Sequence, residues 1–306
     1  HRSRVIIMAI FGANLLAGGC LFVFQRLHHL WLGFALIFSI ACVARLVSTR
    51  LLSLHYDPPY HPPPEAYFSF WDFIRRLPRS NFARFALYLA LMMGAINVAA
   101  PFFAAYMLRD LHWSYAQFTL NNAMSLFTQF FMVRWWGRIG DRHGNRVVIV
   151  ATSLILPVLP ILWLFSTNFY YLLGVQFVAG IGWSGFTIAT QNFTLDAVSR
   201  HKRARVASYM SILNGMFSLA GGSLLGAWLA NHLPSTYRLG ALHVTFASSL
   251  PGVFLVSGLL RLLAAWLLLP RFKEVRVAET IHPATLILRS AGGQALVSFI
   301  GQAMVR

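Results

Sequence analysis

Acidic residues are scarce in this 306-residue chain, and charge of either sign is uncommon. Eight Asp and Glu residues stand against 25 Lys and Arg. Charged residues make up 11% of the sequence, where about a quarter is usual for soluble domains. Hydrophobic residues make up 58%, and the mean hydropathy is +0.62. This composition excludes an ordinary soluble globular domain.

Cysteine is almost absent as well. Cys20 and Cys42 both lie in apolar stretches and lack the spacing of metal ligands, so neither a disulfide framework nor a metal site is predicted. The apolar stretches also contain no nucleophile, His–Asp pair or metal cluster. We therefore expect no catalytic residues, no cofactor and no enzymatic activity.

The excess of positive charge, a formal net charge of +17, raises the question of nucleic-acid binding. The basic residues recur in short clusters between apolar runs of helical length, however, which is the pattern of membrane topology signals. No nucleic-acid partner is expected.

Eight apolar runs are long enough to cross about 30 Å of hydrocarbon as helices. Such runs are too long and too uniformly apolar for barrel strands, so an all-α integral membrane fold is predicted. The first run is interpreted as a helix rather than a signal peptide. Because the chain begins at His1 and not at Met, we expect a truncated start. The runs are 5–24, 29–48, 84–108, 114–135, 147–166, 170–197, 206–230 and 243–269.

Lys and Arg fall almost entirely on one side of the predicted spans. The opposite loops hold Arg26, Arg109 and Arg238. By the positive-inside rule the basic side is cytoplasmic, which places both chain ends in the cytoplasm, and a bacterial inner membrane is the expected location.

The longest loop follows the second span and contains a proline tract at 57–65. Proline fixes φ and removes a donor, so the tract is predicted to be an extended linker. The segment 69–77 places aromatic and aliphatic residues opposite arginines at helical spacing. It is predicted either to lie on the inner leaflet as an amphipathic helix or to form a solvated linker with a few buried anchors.

One charged segment, GRIGDRHGNR at 137–146, lies between two predicted spans. Arginines enter hydrocarbon only at high cost, so a tight turn at the membrane surface is predicted. Gly137 and Gly144 permit a sharp turn because they lack a Cβ. Asp141 is placed to complement the amino terminus of the next helix.

Five residues of this segment follow the pattern G-x-x-x-D-R/K-x-G-R/K-R/K, namely Gly137, Asp141, Arg142, Gly144 and Arg146. The pattern resembles the signature cytoplasmic loop of the major facilitator superfamily (MFS) of secondary transporters. Asn145 departs from it, because that position usually carries a base. The resemblance implies an MFS-type helical bundle whose two halves are structural repeats.

The linker before the third span fits the one between the halves of a twelve-helix member. The eight spans are then similar to helices five to twelve, and the amino-terminal four are expected to be missing. Residues 1–48 would end the amino-terminal half, 49–83 form the linker, 84–269 the six-helix carboxy-terminal half and 270–306 a cytoplasmic tail. In the alternative register 84–269 is the amino-terminal half, which leaves the two upstream spans unexplained.

The resemblance also implies a conformational switch. In this superfamily an acid at the end of the fourth or tenth helix pairs with arginines of the loop, so Asp196 is expected to pair with Arg142 or Arg146. Such a cluster would latch the cytoplasmic side in one conformation and release it in the other. The alternative is that these residues only anchor loops at the positive side of the membrane.

Polar side chains recur on single faces of the predicted spans, as expected for the lining of a substrate pathway. One stripe runs from Gln176 through Gly180 to Gln191, and a second includes Ser125 and Thr128. Each such side chain can instead join neighbouring helices. A neutral polar lining favours a neutral or amphipathic solute. The substrate-lining candidates are Asn97, Gln117, Asn121, Gln176, Trp183, Thr187, Gln191, Ser211 and Asn214.

Small residues and prolines punctuate the spans. Ser218, Gly222 and Gly226 recur every fourth residue and predict a close helix crossing. The prolines that predict kinks or helix breaks are Pro101, Pro157 and Pro160.

Arg261 is the deepest cation in the predicted spans. Its side chain is predicted to snorkel toward the cytoplasm, with a role as counter-charge for an anion as the alternative. No acid lies deep in a span, so the coupling ion, H⁺ or Na⁺, is left open.

Two functions are compatible with these features. The first is a monomeric secondary transporter, a symporter or antiporter, that moves a small-molecule substrate across the lipid bilayer by alternating access. The second is a non-transporting membrane sensor or scaffold of the same fold. The tail from 277 to 306 is too interrupted to predict a ninth span.

Overall fold

The computed structural model describes residues 2–56, 63, 67–76, 80–239, 242–246 and 248–275. Within these ranges seven helices are long and apolar enough to cross a bilayer. Most of the predicted tail, 270–306, and most of the proline tract, 57–65, lie outside the described residues. The seven helices run over Arg4–Arg26, Leu30–Ser53, Asn81–Asp110, Asn145–Leu162, Phe169–Ala197, Arg200–His232 and Leu250–Arg271.

The helical elements follow one another with short connections. Two long helices and one short helix come first, and the rest of the bundle follows. The first three are α1 (Arg2–Arg26), α2 (Leu30–Ser53) and α3 (Phe70–Arg76). The next five are α4 (Asn81–Ala105), α5 (Tyr115–His143), α6 (Asn145–Ile155), α7 (Val158–Leu162) and α8 (Phe169–Ala197). The last three are α9 (Arg203–Ser218), α10 (Ala227–His232) and α11 (Leu250–Leu268).

Short segments of other helix types extend several of these elements. A π-helix at Tyr106–Asp110 continues α4, and another at Leu219–Gly226 joins α9 to α10. A 3₁₀ turn at Arg200–Lys202 precedes α9, and another at Leu269–Arg271 follows α11.

α5 corresponds to the predicted span 114–135, but it does not belong to the set of seven. Its 29 residues rise about 43 Å at 1.5 Å per residue, which is long enough to cross. Amides and arginines along its length lower its hydropathy. Eight spans were predicted. Among the described residues eight helical segments are long enough to cross, but only seven of them are also apolar enough.

The end of the bundle differs from the sequence prediction in two details. The strands β1 (Thr236–Leu239) and β2 (Leu242–Thr245) form a short antiparallel hairpin, with Thr236 opposite Thr245, beside the helical bundle. The last span begins at Leu250 and not at 243, because the hairpin takes up the preceding residues.

α8 packs against α5 and α6. Trp136 is fully buried between them, and its indole N–H donates to the Ile181 carbonyl at 2.9 Å. An added Cβ on Gly180 would lie 2.5 Å from both the Ser125 carbonyl oxygen and Thr128 Cβ, so α5 and α8 touch through backbone there. Gly180 thus serves packing, although the sequence placed it in a polar stripe.

The predicted close crossing near Gly222 and Gly226 is confirmed. A Cβ on Gly222 would lie 2.9 Å from the Asn97 carbonyl oxygen, and one on Gly226 would lie 2.5 Å from that of Val98. Gly221, which the spacing did not single out, lies against the Gly94 carbonyl. The crossing joins α4 to the π-helix that follows α9.

The proline predictions are confirmed at Pro157, where the span breaks between α6 and α7. Pro101 instead lies inside α4, which continues to Ala105. Pro160, inside α7, has no N–H for the Leu156 carbonyl one turn earlier. The carbonyl of Leu156 is thus free to accept from another element.

α1 packs along α5, and α2 packs on α1. Both present many large apolar side chains at the surface, such as Leu16, which is 78% exposed. In the linker, α3 buries Phe73 against Tyr209 of α9, while Trp71 is 68% exposed. The described part of this segment, 69–76, therefore combines a short helix with a buried anchor.

Candidate functional site

The arginine-rich segment is mostly helical. α5 runs through its first seven residues to His143, and only Gly144 departs, with φ of +89°. α6 begins at the next residue. The predicted tight turn is therefore confined to Gly144, where a positive φ ends one helix and the next begins. Gly137 lies within α5, where a Cβ would make an ordinary 3.6 Å contact with Ile188.

The acid that meets the amino terminus of α6 is Glu274, and not Asp141 as predicted. Its Oε2 accepts from the Arg146 backbone N–H at 2.7 Å, and it also fills the space beside Gly144. A carboxylate here satisfies a donor that has no intrahelical partner and complements the helix dipole. Asp141 instead belongs to the last turn of α5 and is exposed.

Asn145 is 1% exposed, and its side-chain amide donates to Asp196 Oδ2 at 2.9 Å. The residue that departs from the family pattern therefore makes a direct contact with the acid at the end of α8. Gly140 provides the room, since a Cβ there would lie 2.8 Å from Asn145 Oδ1. The sequence pattern did not single out Gly140.

Arg142 and Arg146 were the two predicted partners of Asp196. The hydrogen bonds of the Arg146 side chain go to the segment after α11 instead. Its guanidinium donates to the carbonyl oxygens of Phe272 at 2.8 Å and Leu269 at 3.2 Å. The pairing of Asp196 with Arg142 stays a prediction. Arg146 thus ties the start of α6 to the segment that follows α11.

That segment, residues 269–275, is also held by α4. The Asn81 side chain donates to the Lys273 carbonyl at 2.9 Å and accepts from the Lys273 N–H at 2.7 Å. Arg84 donates to the Arg271 carbonyl at 3.2 Å. We call residues 144–146, 196 and 269–275 the motif cluster. It joins the ends of α4, α6, α8 and α11 at one end of the bundle.

A cavity of about 470 Å³ lies between α1 and the helices from α4 onward. Its walls are partly apolar, but amides, aromatic rings and one guanidinium also face it. These polar and aromatic lining residues are Asn14, Phe103, Asn122, Ser125, Gln129, Trp163, Gln176, Trp183 and Arg261.

Four of the predicted lining residues on α8 face cavities. Gln176 and Trp183 line the 470 Å³ cavity. Thr187 and Gln191 line a second cavity of about 190 Å³, between α1, α5 and α8. The α8 stripe is therefore the prediction that agrees most closely with the cavity geometry.

None of the other five candidates lines the larger cavity. Gln117 forms a capping box with Ser114 at the start of α5, a structural role. Asn97 donates to the Met93 carbonyl of its own helix. Asn121 is fully buried, with its amide 3.5 Å from the Met107 sulfur.

Ser211 and Asn214 on α9 also lie away from this cavity. Ser211 is exposed, and Asn214 is half-buried. The physical reason is that α9 packs on α4 and makes no comparable contact with α1 or α8 among the described elements.

The sequence reasoning missed part of the face of α5 that does line the cavity. Asn122 and Gln129 line it but were not in the predicted stripe, whereas Ser125, which was, lines it too. Asn14 on α1 was also missed, although an isolated amide in an apolar span is a recognisable signal.

Arg261 does not snorkel. It is 3% exposed, and its guanidinium lies in the cavity wall. Nη1 donates to the Leu156 carbonyl at 3.0 Å, and Nη2 lies 3.5 Å from the Ile96 carbonyl oxygen. The carbonyl left free by Pro160 thus attracts the side chain inward, and Arg261 connects α11 to α6 and α4.

Comparison with known proteins agrees with this architecture. A 26% identical stretch of 136 residues is shared with the "Uncharacterized MFS-type transporter YhjO" of Bacillus subtilis (strain 168). The stretch covers 44% of this chain and 33% of that relative. A family model of the Major Facilitator Superfamily matches residues 85–304, which is most of the chain. The chain therefore belongs to the Major Facilitator Superfamily and is an integral membrane protein.

Proposed function

We propose that this chain forms part of a secondary active transporter that moves a small solute by alternating access. The observation that supports this most directly is the 470 Å³ cavity, lined by amides and indoles, between α1 and the helices from α4 onward. If α1 and the helices from α4 onward rock against each other, a site between them would open to one face of the membrane and then to the other.

We propose that α1 and α2 are helices five and six of a twelve-helix transporter, and that α4 to α11 contain helices seven to twelve. The long connection between α2 and α4 supports this register, since it corresponds to a linker between halves. The domain limits would then be 1–48, 49–83, 84–269 and 270–306. In the alternative register, the helices from α4 onward form the amino-terminal half.

The orientation proposed from charge places the motif cluster in the cytoplasm, in a bacterial inner membrane. Exposed Arg138 and Arg142 at this end of α5 support it. We propose that the protein acts as a monomer and that an H⁺ or Na⁺ gradient drives it as a symporter or antiporter. Collapsing each gradient separately with an ionophore during transport would identify the coupling ion.

We propose that the motif cluster, with Asp141 and Arg142, controls the cytoplasmic side. The contacts of Asn145, Arg146 and Glu274 all join elements from α4 onward, which supports a brace that keeps this unit rigid as it moves. Transport rates of Asp141→Asn and Arg142→Ala test the latch. Rates equal to the parent protein would contradict it.

The test of function is transport by the complete gene product in proteoliposomes, with a panel of amphipathic acids, amines and neutral compounds. Gln176→Ala and Trp183→Ala should each lower uptake at least tenfold, because both side chains line the cavity. Trp266→Ala is the matched control, since Trp266 is 73% exposed on α11. Absence of gradient-dependent uptake of any compound would favour a sensor or scaffold.

A further inference from the structure

Arg261 places a positive charge in the wall of a cavity whose other polar groups are neutral amides, hydroxyls and indoles. No Asp or Glu is among the described residues that line this cavity. Of the five acids that the structure describes, Asp141, Asp196 and Glu274 lie at the motif end and Asp72 lies on α3. The fifth, Asp110, ends the π-helix that continues α4. A buried cation without an opposite charge is unfavourable, so the site is suited to an anion.

The guanidinium has donors to spare. It carries five N–H groups, and the two carbonyl contacts, to Leu156 and Ile96, use one on each terminal nitrogen. Nε is buried and has no hydrogen-bond partner among the described residues. A buried donor left unpaired costs free energy, which an acceptor in the cavity would recover. The carbonyl contacts hold the guanidinium in place without neutralising it.

The rest of the lining defines the body of the ligand. Trp163, Trp183 and Phe103 offer flat apolar surfaces, and Gln176 and Gln129 offer hydrogen bonds. One cation in the cavity wall balances one negative charge. A planar carboxylate matches the fork of the guanidinium better than a spherical anion does.

We propose that the cavity binds an organic monoanion, a carboxylate on an aromatic or aliphatic body, with Arg261 as its counter-charge. This rests on the proposed transport function, because the anion would be the transported solute. It also revises the expectation of a neutral solute, which was drawn from the amide stripes alone.

The test compares three probes with the same apolar body: 3-phenylpropionate, 3-phenylpropionamide and 3-phenylpropylammonium. Each is titrated against the purified chain, and the rise in unfolding temperature gives an apparent Kd. The carboxylate should bind at least tenfold more tightly than the amide, and the ammonium most weakly. Equal shifts from carboxylate and amide, or no shift from either, would overturn the proposal.

Substitutions of Arg261 test whether this residue causes the preference for carboxylate over amide. Arg261→Gln should reduce the preference for carboxylate over amide to less than twofold, and Arg261→Lys should retain part of it. Arg134→Gln, an exposed position on α5, should change nothing. A tenfold preference that survives Arg261→Gln would overturn the assignment.

Arg261→Gln also removes two contacts between helices, so a second variant covers the case in which it does not fold. Trp183→Ala alters the same cavity and should weaken carboxylate binding at least fivefold, whereas Trp266→Ala should not. Unchanged binding in Trp183→Ala would place the anion elsewhere and overturn the proposal. Because binding needs no translocation, anion binding without transport would count against the proposed function alone.

Discussion

At the scale of single residues, Gly144 adopts a backbone conformation that favours glycine. Its φ of +89° is one that side chains other than glycine rarely adopt, and an added Cβ would lie 2.5 Å from Glu274 Oε2. Both the turn and the carboxylate that caps α6 therefore depend on the missing side chain.

Gly144→Ala should lower the free energy of unfolding by about 1 to 3 kcal/mol through backbone strain and displacement of Glu274. Denaturant unfolding of the purified chain in detergent, followed by circular dichroism, would measure this. Gly137→Ala is the control in the same motif, because Gly137 is helical and has room for a methyl group. Equal destabilisation by both substitutions would contradict the assignment of the turn to Gly144.

The contact between Asn145 and Asp196 is a second prediction at this scale. A hydrogen bond to a charged acceptor contributes about 1.5 to 3 kcal/mol, so Asn145→Ala and Asp196→Ala should each destabilise the chain. The double variant should lose less than the sum of the two, because they remove the same interaction. A double-mutant cycle on unfolding free energies tests this, and additive effects would show that the two side chains are not coupled.

At the scale of helices, small residues decide how closely neighbours approach. α5 and α8 meet through backbone at Gly180, and α4 meets the π-helix after α9 at Gly221 and Gly222. Such contacts substitute for the hydrophobic driving force that is missing between helices in lipid. The spacing of small residues in the sequence predicted the second crossing. The first crossing coincides with a polar stripe, and the spacing did not identify it.

Gly180→Ala should destabilise the bundle by about 1 to 3 kcal/mol, because the added methyl group would overlap α5. Gly174→Ala on the same helix has open space around it and should be neutral or slightly stabilising. Thermal unfolding monitored by tryptophan fluorescence would compare them. A neutral Gly180→Ala would mean that α5 and α8 are separated by more than the structure shows.

Helical periodicity also explains which lining residues were found. On α8 the predicted stripe, which includes Gln176 and Trp183, faces cavities, and its polar residues are isolated among apolar ones. On α5, polar residues occupy two adjacent faces, and spacing alone does not say which one is turned inward. At the start of α5, the Gln117 side chain forms a capping box with Ser114 and does not line the cavity.

At the scale of the whole molecule, the bundle has two chemically different ends. The motif cluster collects charged and amide side chains at one end, and α8 begins at the other with Tyr170, which is 78% exposed. The orientation proposed from the positive-inside rule turns the first end toward the cytoplasm.

Cysteine labelling in intact cells tests this orientation. In a background with Cys20 and Cys42 replaced by alanine, Tyr170→Cys should react with an impermeant maleimide. Arg138→Cys should react only after permeabilisation. The parent background without added cysteine controls for non-specific labelling, and the reverse pattern would invert the proposed topology.

The sequence by itself determined the class of this protein, because about 20 apolar residues per span and a glycine–arginine pattern are local signals. It located most helices and the superfamily motif without any contact between distant residues. Only the tertiary structure decided which acid caps α6, because Glu274 is far from Arg146 in sequence. It also decided the direction of Arg261, whose partner is a carbonyl released by Pro160 on another helix. The chemistry of the cavity depends on contacts between residues that are far apart in the sequence, and the spacing of residues along the chain does not predict such contacts.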